Sequence, residues 1–427
     1  MVTFLPSRPG RLADVPSFDR GIGGAESNVA CGLAAAGHSV KWVSRVGDDG
    51  FGRHLVERIA AHGVDTSAVR FDPSRPTGIY FRTAGERALT ADAGTARGEG
   101  GAKGSRDADA VRGSKDLREP DATGASDRAG GFDDATGASD RTGASDGAGG
   151  LDEGAEGSDK GAEGDPAAEV VYYRAGSAAS AMSPANMPGE EIRSGRVLHL
   201  SGITAALSDD CLALLHDLTA PRPGRPLVSF DVNYRVDLWR NRSDAGATLL
   251  SLARACDIVF VGADEAEAAW GVTGGSAAIR MTLPEPRLLV VKEGGRGATV
   301  FERESHEDAS GEAGAVRRPG AGAAGRLHGP DTVTHVPALR VDVVAHVGAG
   351  DAFAAGFLSA TLRGLPVRDR IRHGHLMAAA VLTVPGDLGA PPAREHADRL
   401  VALDDRAWGT LRLGPGWTRA KEEVRTP

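Results

Sequence analysis

Cysteine is scarce in this 427-residue chain: Cys31, Cys211 and Cys256 are far apart, odd in number and in no metal-ligand spacing. That excludes a disulfide scaffold and a zinc-ribbon site. Three buried small hydrophobes in a reducing compartment are expected instead. A basic excess is also missing. The formal net charge is −9, whereas a nucleic-acid binder is expected to carry a basic stripe. No apolar run approaches the roughly 18–20 residues needed to span a bilayer. The N-terminus shows no apolar segment followed by a small-residue cleavage site. The expectation is a cytoplasmic protein with neither nucleic acid nor membrane as a partner.

Glycine, by contrast, is abundant. There are 59 glycines, nearly twice the usual share of about 7%. Residues 91–168 hold 18 of them, with 18 acidic and 9 basic side chains and only four large apolar ones: Val111, Leu117, Phe132 and Leu151. The acidic surplus of this stretch equals the formal charge of the whole protein. The octad DATGASDR stands at 121–128 and again at 134–141. So few apolar groups cannot offset the chain entropy lost on folding, so 91–168 reads as a disordered, low-complexity insertion. Residues 303–332, rich in Gly, Ala, Arg and Glu, read as an extended surface loop.

The remainder, 1–90 and 169–427, alternates between two patterns. Short apolar runs occur at 40–46, 196–200, 226–231, 257–261, 288–292 and 298–301. Helical spacing marks 24–36, 209–219, 243–255 and 263–270. Continuous apolar strands separated by helices imply a parallel sheet covered on both faces. The alternating stretches TGIYFR (77–82) and EVVYYR (169–174) flank the insertion and read as a hairpin in a small lid.

Two segments carry chemistry. Near the C-terminus a strand-like run, Val341 to Val344, leads into Gly348, Ala349, Gly350 and Asp351, and a helix follows. Small residues at a helix start let backbone N–H groups approach an anion, and the helix dipole favours negative charge there. Asp351 at this place would accept a proton from an alcohol; it would equally serve as an ordinary N-cap. Near the N-terminus, paired Gly23 and Gly24 precede a helix that carries Asn28, whose amide both donates to and accepts from hydroxyls. The following turn, Gly47 to Gly52, reads as structural.

In this order and separation, GGAESNVACGLAAAGHSVKWVSRVGDDGFG (23–52) and VVAHVGAGDAFAAGF (343–357) resemble the two signatures of the ribokinase-like (PfkB) carbohydrate kinases. Three landmarks match between them: DVNYRVDLW (231–239), GADEAEAAWG (262–271) and VVKEGGRGATVF (290–301). The resemblance implies a ribokinase-like α/β fold, a doubly wound and mostly parallel sheet with helices on both faces and a small β-sheet lid. It also implies ATP-dependent phosphorylation of a sugar alcohol. Within the family the chain is most similar to the 2-keto-3-deoxygluconate kinases, through Thr77–Phe81, Tyr172–Ala178 and Asp231–Arg235. A sugar acid needs a cation, and guanidinium matches a carboxylate in bidentate fashion; Arg174 and Arg235 are placed to supply it.

The resemblance puts Gly24, Asn28, Tyr80, Tyr172 and Arg174 around the sugar, and Asn233 and Arg235 between sugar and phosphates. It puts Lys292, Gly294 and Gly297 on the nucleotide side and Glu265 near Mg2+. Asp351 would be the general base, with the amides of Gly348, Ala349 and Gly350 on the transferring phosphoryl group. Each tyrosine also suits lid packing, Arg235 a surface ion pair, and Glu265 an ordinary helix face. Three departures from the family stand out. Its first core strand ends in Gly-Glu or Gly-Asp, and Met1–Pro6 reads as only the tail of that segment, about ten residues short. Ala345-His346-Val347 stands where relatives carry an Asp of a monovalent-cation site. Gly262 replaces the Asn of an Asn-x-x-Glu motif. A kinase for a neutral sugar (fructose, ribose) or a nucleoside, and a degenerate sugar-binding protein, remain open alternatives. Relatives also form homo-oligomers through lid strands.

Overall fold

Apolar runs with no polar alternation belong where both sheet faces are covered. The computed structural model describes residues 1–8, 10–83, 170–240, 242–303 and 330–419. All fall in one of two units of the chain, Met1–Asp92 with Asp165–Pro427. The strand Ile258–Gly262 is buried throughout. Its Ile258 and Phe260 enter one core with Val290, Phe353, Phe357 and Leu376. Its Val259 and Val261 enter the opposite core with Leu249, Leu252, Leu289 and Val291. Successive side chains point to opposite faces, so every residue of such a strand must be apolar. Helices Ala349–Leu362 and Val367–Leu382 cover the first face, and Asp209–Thr219 and Ala245–Arg254 the second. Phe260 and Phe357, both fully buried, meet edge to face at 5.4 Å. Burial of one such side chain contributes about 1.5–3 kcal/mol.

The main sheet has six strands in the order Asp331–Val336, Ala298–Arg303, Leu288–Lys292, Ile258–Gly262, Leu227–Asp231, Val197–Ser201. The last four are mutually parallel and the first two join as antiparallel neighbours. The parallel strands end on Lys292, Gly262, Asp231 and Ser201. In an open α/β sheet the crevice beyond these carboxyl ends is the place for ligands.

A second sheet orders Phe18–Ile22, Val2–Pro6, Ile79–Arg82 and Val170–Tyr173. The expected hairpin is there: Ile79–Arg82 runs antiparallel to Val170–Tyr173, with Tyr80 opposite Tyr172. The insertion at 91–168, joining these two strands, lies outside the described residues. So does the loop expected at 303–332, except its ends, since Arg303 and Asp331–Thr332 are strand residues.

Three expectations need correcting. Met1–Pro6 is not the tail of a main-sheet strand. Val2–Pro6 pairs with Phe18–Ile22 and Ile79–Arg82, in the small sheet, and among the described residues Val197–Ser201 is an edge of the main sheet. The run 40–46 yields only an isolated bridge at Lys41 and the strand Arg45–Gly47, which pairs with Arg70–Asp72. Hydrogen bonds such as those from Trp42 N–H to the Asp65 carbonyl and from Arg70 N–H to the Ser44 carbonyl link it to the segment before Asp72. In Val341–Val344 only Val341 is in a strand. Val343 and Val344 are exposed, and the Val344 N–H turns aside to the Leu382 carbonyl.

Candidate active site

The Gly348–Asp351 turn forms as its small residues dictate. Gly348 sits at φ 80 as the N-cap of helix Ala349–Leu362, a left-handed conformation natural to glycine. The N-cap alternative for Asp351 is not realised, since no side chain caps this helix. Asp351 instead accepts a hydrogen bond from Asn28 Nδ2 at 2.8 Å. Asn28 comes from helix Ala25–Ala35, whose N-cap is Gly24 at φ 138. The two sequence signatures thus meet side chain to side chain.

A cavity of about 1,020 Å³ opens over this pair and also runs along Val197 to Leu200 of the strand Val197–Ser201. Gly24, Asn28, Tyr80, Tyr172, Arg174, Asn233, Arg235, Gly348 and Asp351 all line it. The sequence-predicted sugar residues therefore converge from the lid, the first helix, the loop after Leu227–Asp231 and the C-terminal turn. Tyr80 and Tyr172 lie with ring centroids 5.3 Å apart, and the Arg174 guanidinium lies 4.2 Å over the Tyr172 ring. Among the described residues, neither Arg174 nor Arg235 is ion-paired to a carboxylate. Burial lowers the Arg174 pKa, and the Arg235 charge lowers it further. Two unpaired cations facing one cavity make a strong demand for an anion.

Several buried polar atoms lack partners. Asn28 Oδ1, Asn233 Oδ1 and Arg174 Nε are all orphaned. Asn233 is held at φ 40 and its N–H donates to Asp231 Oδ1. Strained backbone and unmet buried acceptors together mark places where a ligand completes the bonding.

Burial raises the Asp351 carboxyl to about 7, and the charge of Asp231 adds to the shift. The Asn28 hydrogen bond and the charges of Arg235 and Lys292 oppose it. A carboxylate near neutrality suits proton acceptance at physiological pH.

The nucleotide-side residues stand apart from this cavity. Lys292 ends its strand and bonds Asp231 Oδ1 and Oδ2 at 3.0 and 2.9 Å. Its Nζ lies 3.6 Å from where a Cβ on Gly350 would stand, so it reaches the turn from below. Burial alone would lower its pKa; the Asp231 and Glu265 charges outweigh that and raise it. Glu265 accepts from the Gly262 N–H at 2.8 Å, and burial raises its pKa. It therefore caps helix Ala263–Trp270 with one oxygen. No group of three or more metal-ligating side chains exists among the described residues. One carboxylate beside a phosphate chain is nonetheless sufficient for magnesium, which keeps most of its waters. Gly294 and Gly297 do not line the cavity. Gly297, at φ 126, packs against the Val336 carbonyl, which accounts for a glycine there structurally.

The turn at Gly47–Gly52 is structural, as expected: Asp49 caps helix Gly50–Ala61 and accepts from the Thr77 N–H. All three cysteines are free and buried. Sequence reasoning did not single out Asp231, Glu26, Arg82 or Asp387. Glu26, which accepts from Thr204, lines the cavity, and burial raises its pKa. Asp231 carried a signal, an acid at the carboxyl end of an apolar strand. The other three show theirs only through distant partners.

The sequence profile of the pfkB family carbohydrate kinases matches residues 2–103 and 160–394. The chain is 27% identical over 398 residues to a 2-dehydro-3-deoxygluconokinase of Bacillus subtilis (strain 168), covering 92% of this chain and 91% of that one. It is 26% identical over 395 residues to a 2-dehydro-3-deoxygluconokinase of Thermoproteus tenax, covering 92% and 89%. Its fold is similar to that of an uncharacterized sugar kinase from Pyrococcus horikoshii solved in complex with ATP. There the TM-score is 0.60 at 19% identity, covering 96% of this chain and 97% of the other.

Proposed function

The chain belongs to the pfkB family of carbohydrate kinases, and from that premise we propose that it moves the γ-phosphoryl group of ATP to the terminal hydroxyl of 2-keto-3-deoxygluconate or a close sugar acid. The observation that carries the substrate class is Arg174, which lines the cavity beside Arg235 and is ion-paired to no carboxylate among the described residues. With Arg235 turned to the phosphates, a neutral sugar would leave Arg174 uncompensated, whereas a carboxylate satisfies it. The relatives named 2-dehydro-3-deoxygluconokinase support the same choice.

In this reading Asn28 Oδ1 and the Tyr80–Tyr172 pair receive the sugar, and Arg174 takes its carboxylate. Asp351 accepts the proton of the attacking hydroxyl. The Asn28 amide holds Asp351 in place and keeps its carboxylate ionisable near neutral pH. The N–H groups of Gly348, Ala349 and Gly350 meet the charge that develops on the transferring group. Asn233, Arg235 and Lys292 face the phosphates, with Gly294 and Gly297 shaping the loop beyond. Lys292 would exchange part of its Asp231 contact for a phosphate oxygen. Glu265 would help hold magnesium, which would supply charge neutralisation for the phosphates. Phosphoryl transfer of this kind is mostly positioning and electrostatics, and the residues present provide both.

The test is ADP release by the purified chain with ATP and magnesium, comparing 2-keto-3-deoxygluconate, fructose, ribose and no sugar. Turnover with the sugar acid alone supports the reading. Turnover with fructose or ribose and none with the acid overturns the substrate class.

A further inference from the structure

Asp387 lies in the irregular segment after helix Val367–Leu382 and is 4% exposed. Tyr80 donates its hydroxyl to Asp387 Oδ2. Arg82 Nη2 stands 3.1 Å from Asp387 Oδ1 and donates to the Pro385 carbonyl at 2.6 Å. Tyr80 and Arg82, 5% and 4% exposed, both belong to the lid strand Ile79–Arg82. On its other side, Asp387 touches the catalytic turn: a Cβ on Gly348 would collide with the Asp387 backbone carbonyl. A Cβ on Gly23 would collide with both Tyr80 Oη and Asp387 Oδ2. One residue is thus in contact with the lid, the Gly23–Gly24 turn and the Gly348–Asp351 turn.

A buried ion pair adds little to stability compared with apolar residues of the same shape, although breaking it by removing one partner is costly. What the cluster does provide is direction: the Tyr80 hydroxyl donates to Asp387 Oδ2 and Arg82 to the Pro385 carbonyl, hydrogen bonds with angular preferences where apolar side chains would slide. We propose that Asp387 is a positioning residue for phosphoryl transfer, tying the lid strand, through Tyr80 and Arg82, to the turn that carries Asp351. The proposal deepens the kinase reading above and rests on it. Seating a sugar under the lid then sets the position of the Gly348 turn, and the reacting hydroxyl and its base are brought into register together. Asp387 touches no substrate in this account; it acts through Tyr80 and Gly348.

Three variants test it: Asp387→Asn, Arg82→Met and the two combined. Each single change leaves one buried charge uncompensated, so both lower Tm. The double variant removes both charges of the pair, and Glu26 still faces the Met1 ammonium that Asp387 also neighbours, so its Tm returns towards that of the unaltered protein. Positioning predicts that kcat does not return with it and stays down about tenfold or more in the double variant. The acid limb of the pH–rate profile stays in place, since Asp351 keeps its own neighbours. If kcat recovers in step with Tm, the pair is merely structural and the proposal is overturned. The kinetics use whichever sugar the unaltered chain phosphorylates, so a neutral-sugar result would defeat the substrate class without touching this test. Should no sugar be turned over, a non-hydrolysable ATP analogue provides the readout. Its affinity is expected to fall about fivefold in the double variant as the turn loses its anchor; an unchanged affinity overturns the proposal.

Discussion

Asn28 Nδ2 and Asp351 Oδ2 stand 2.8 Å apart across 323 residues of chain, in a site where burial has already raised the carboxyl to about 7. The amide donates to the ionised form and so opposes the shift that burial imposes. If Asp351 is the base, it works only when deprotonated. The kcat/KM profile should rise with pH through an apparent pKa near 7, and activity should be lost on the acid side. A flat profile from pH 5.5 to 8 would remove Asp351 from the role.

Replacing Asn28 by Ala removes the donor and leaves burial less opposed. The acid limb should move to higher pH. Activity at pH 7 should fall more steeply than at pH 8.5, where the carboxyl is ionised in either protein. The pH dependence separates this effect from a lost sugar contact, which would lower kcat/KM equally at every pH.

The same raised pKa makes a prediction about stability. The folded carboxyl titrates near 7 and the unfolded one near 3.8. Between these values the folded chain holds a proton that the unfolded chain has released, so stability falls as pH rises through this window. Asp351→Asn escapes that loss. The variant should be inactive yet more heat-stable than the unaltered protein at pH 8, by on the order of a few kcal/mol. The gap should narrow toward pH 4. A variant less stable at pH 8 would show that the ionised carboxylate is better compensated than its burial implies.

What could be read in the sequence depended on how local its cause was. Ile258–Val261 could be read as a doubly covered strand, because an unbroken apolar run requires both faces to be covered. The Gly348 turn was legible because glycine there answers a local backbone need. The resemblance put Asn28 and Asp351 at one substrate, but their hydrogen bond was not legible, since no local pattern links residues so far apart. Asp387 was silent: an acid in a Pro- and Gly-rich segment reads as a surface turn until Tyr80 and Arg82, from the lid strand, are seen against it. Val2–Pro6 misled for a related reason. An apolar strand does not declare which sheet it joins, and here the antiparallel partner Phe18–Ile22 decided it.

Arg174 provides the sharpest test of substrate class. Its guanidinium is already fixed over the Tyr172 ring, so little ordering is needed to meet a carboxylate. Charge-assisted bonds of this kind contribute about 1.5–3 kcal/mol, so Arg174→Ala should raise the KM for a sugar acid about tenfold to a hundredfold. Any residual turnover of a neutral sugar should change little. Equal losses for both substrates would mean that Arg174 packs the lid and reads no charge.

Two glycines at the ends of one helix separate backbone strain from site geometry. Gly348 precedes helix Ala349–Leu362 at φ 80, and Gly364 follows it at φ 73. Both hold left-handed backbone, so alanine at either adds strain of about 1–2 kcal/mol. Their surroundings differ. A Cβ on Gly364 meets open space, whereas one on Gly348 collides with the Asp387 carbonyl. Gly364→Ala should therefore lower Tm and leave kcat within about twofold. Gly348→Ala must displace either the turn or Asp387, and both hold the reacting groups in place. Its kcat should fall by about a hundredfold or more, well beyond what its Tm would suggest. If the two variants lost activity in proportion to stability, the left-handed turn at Gly348 would be a helix start and nothing more.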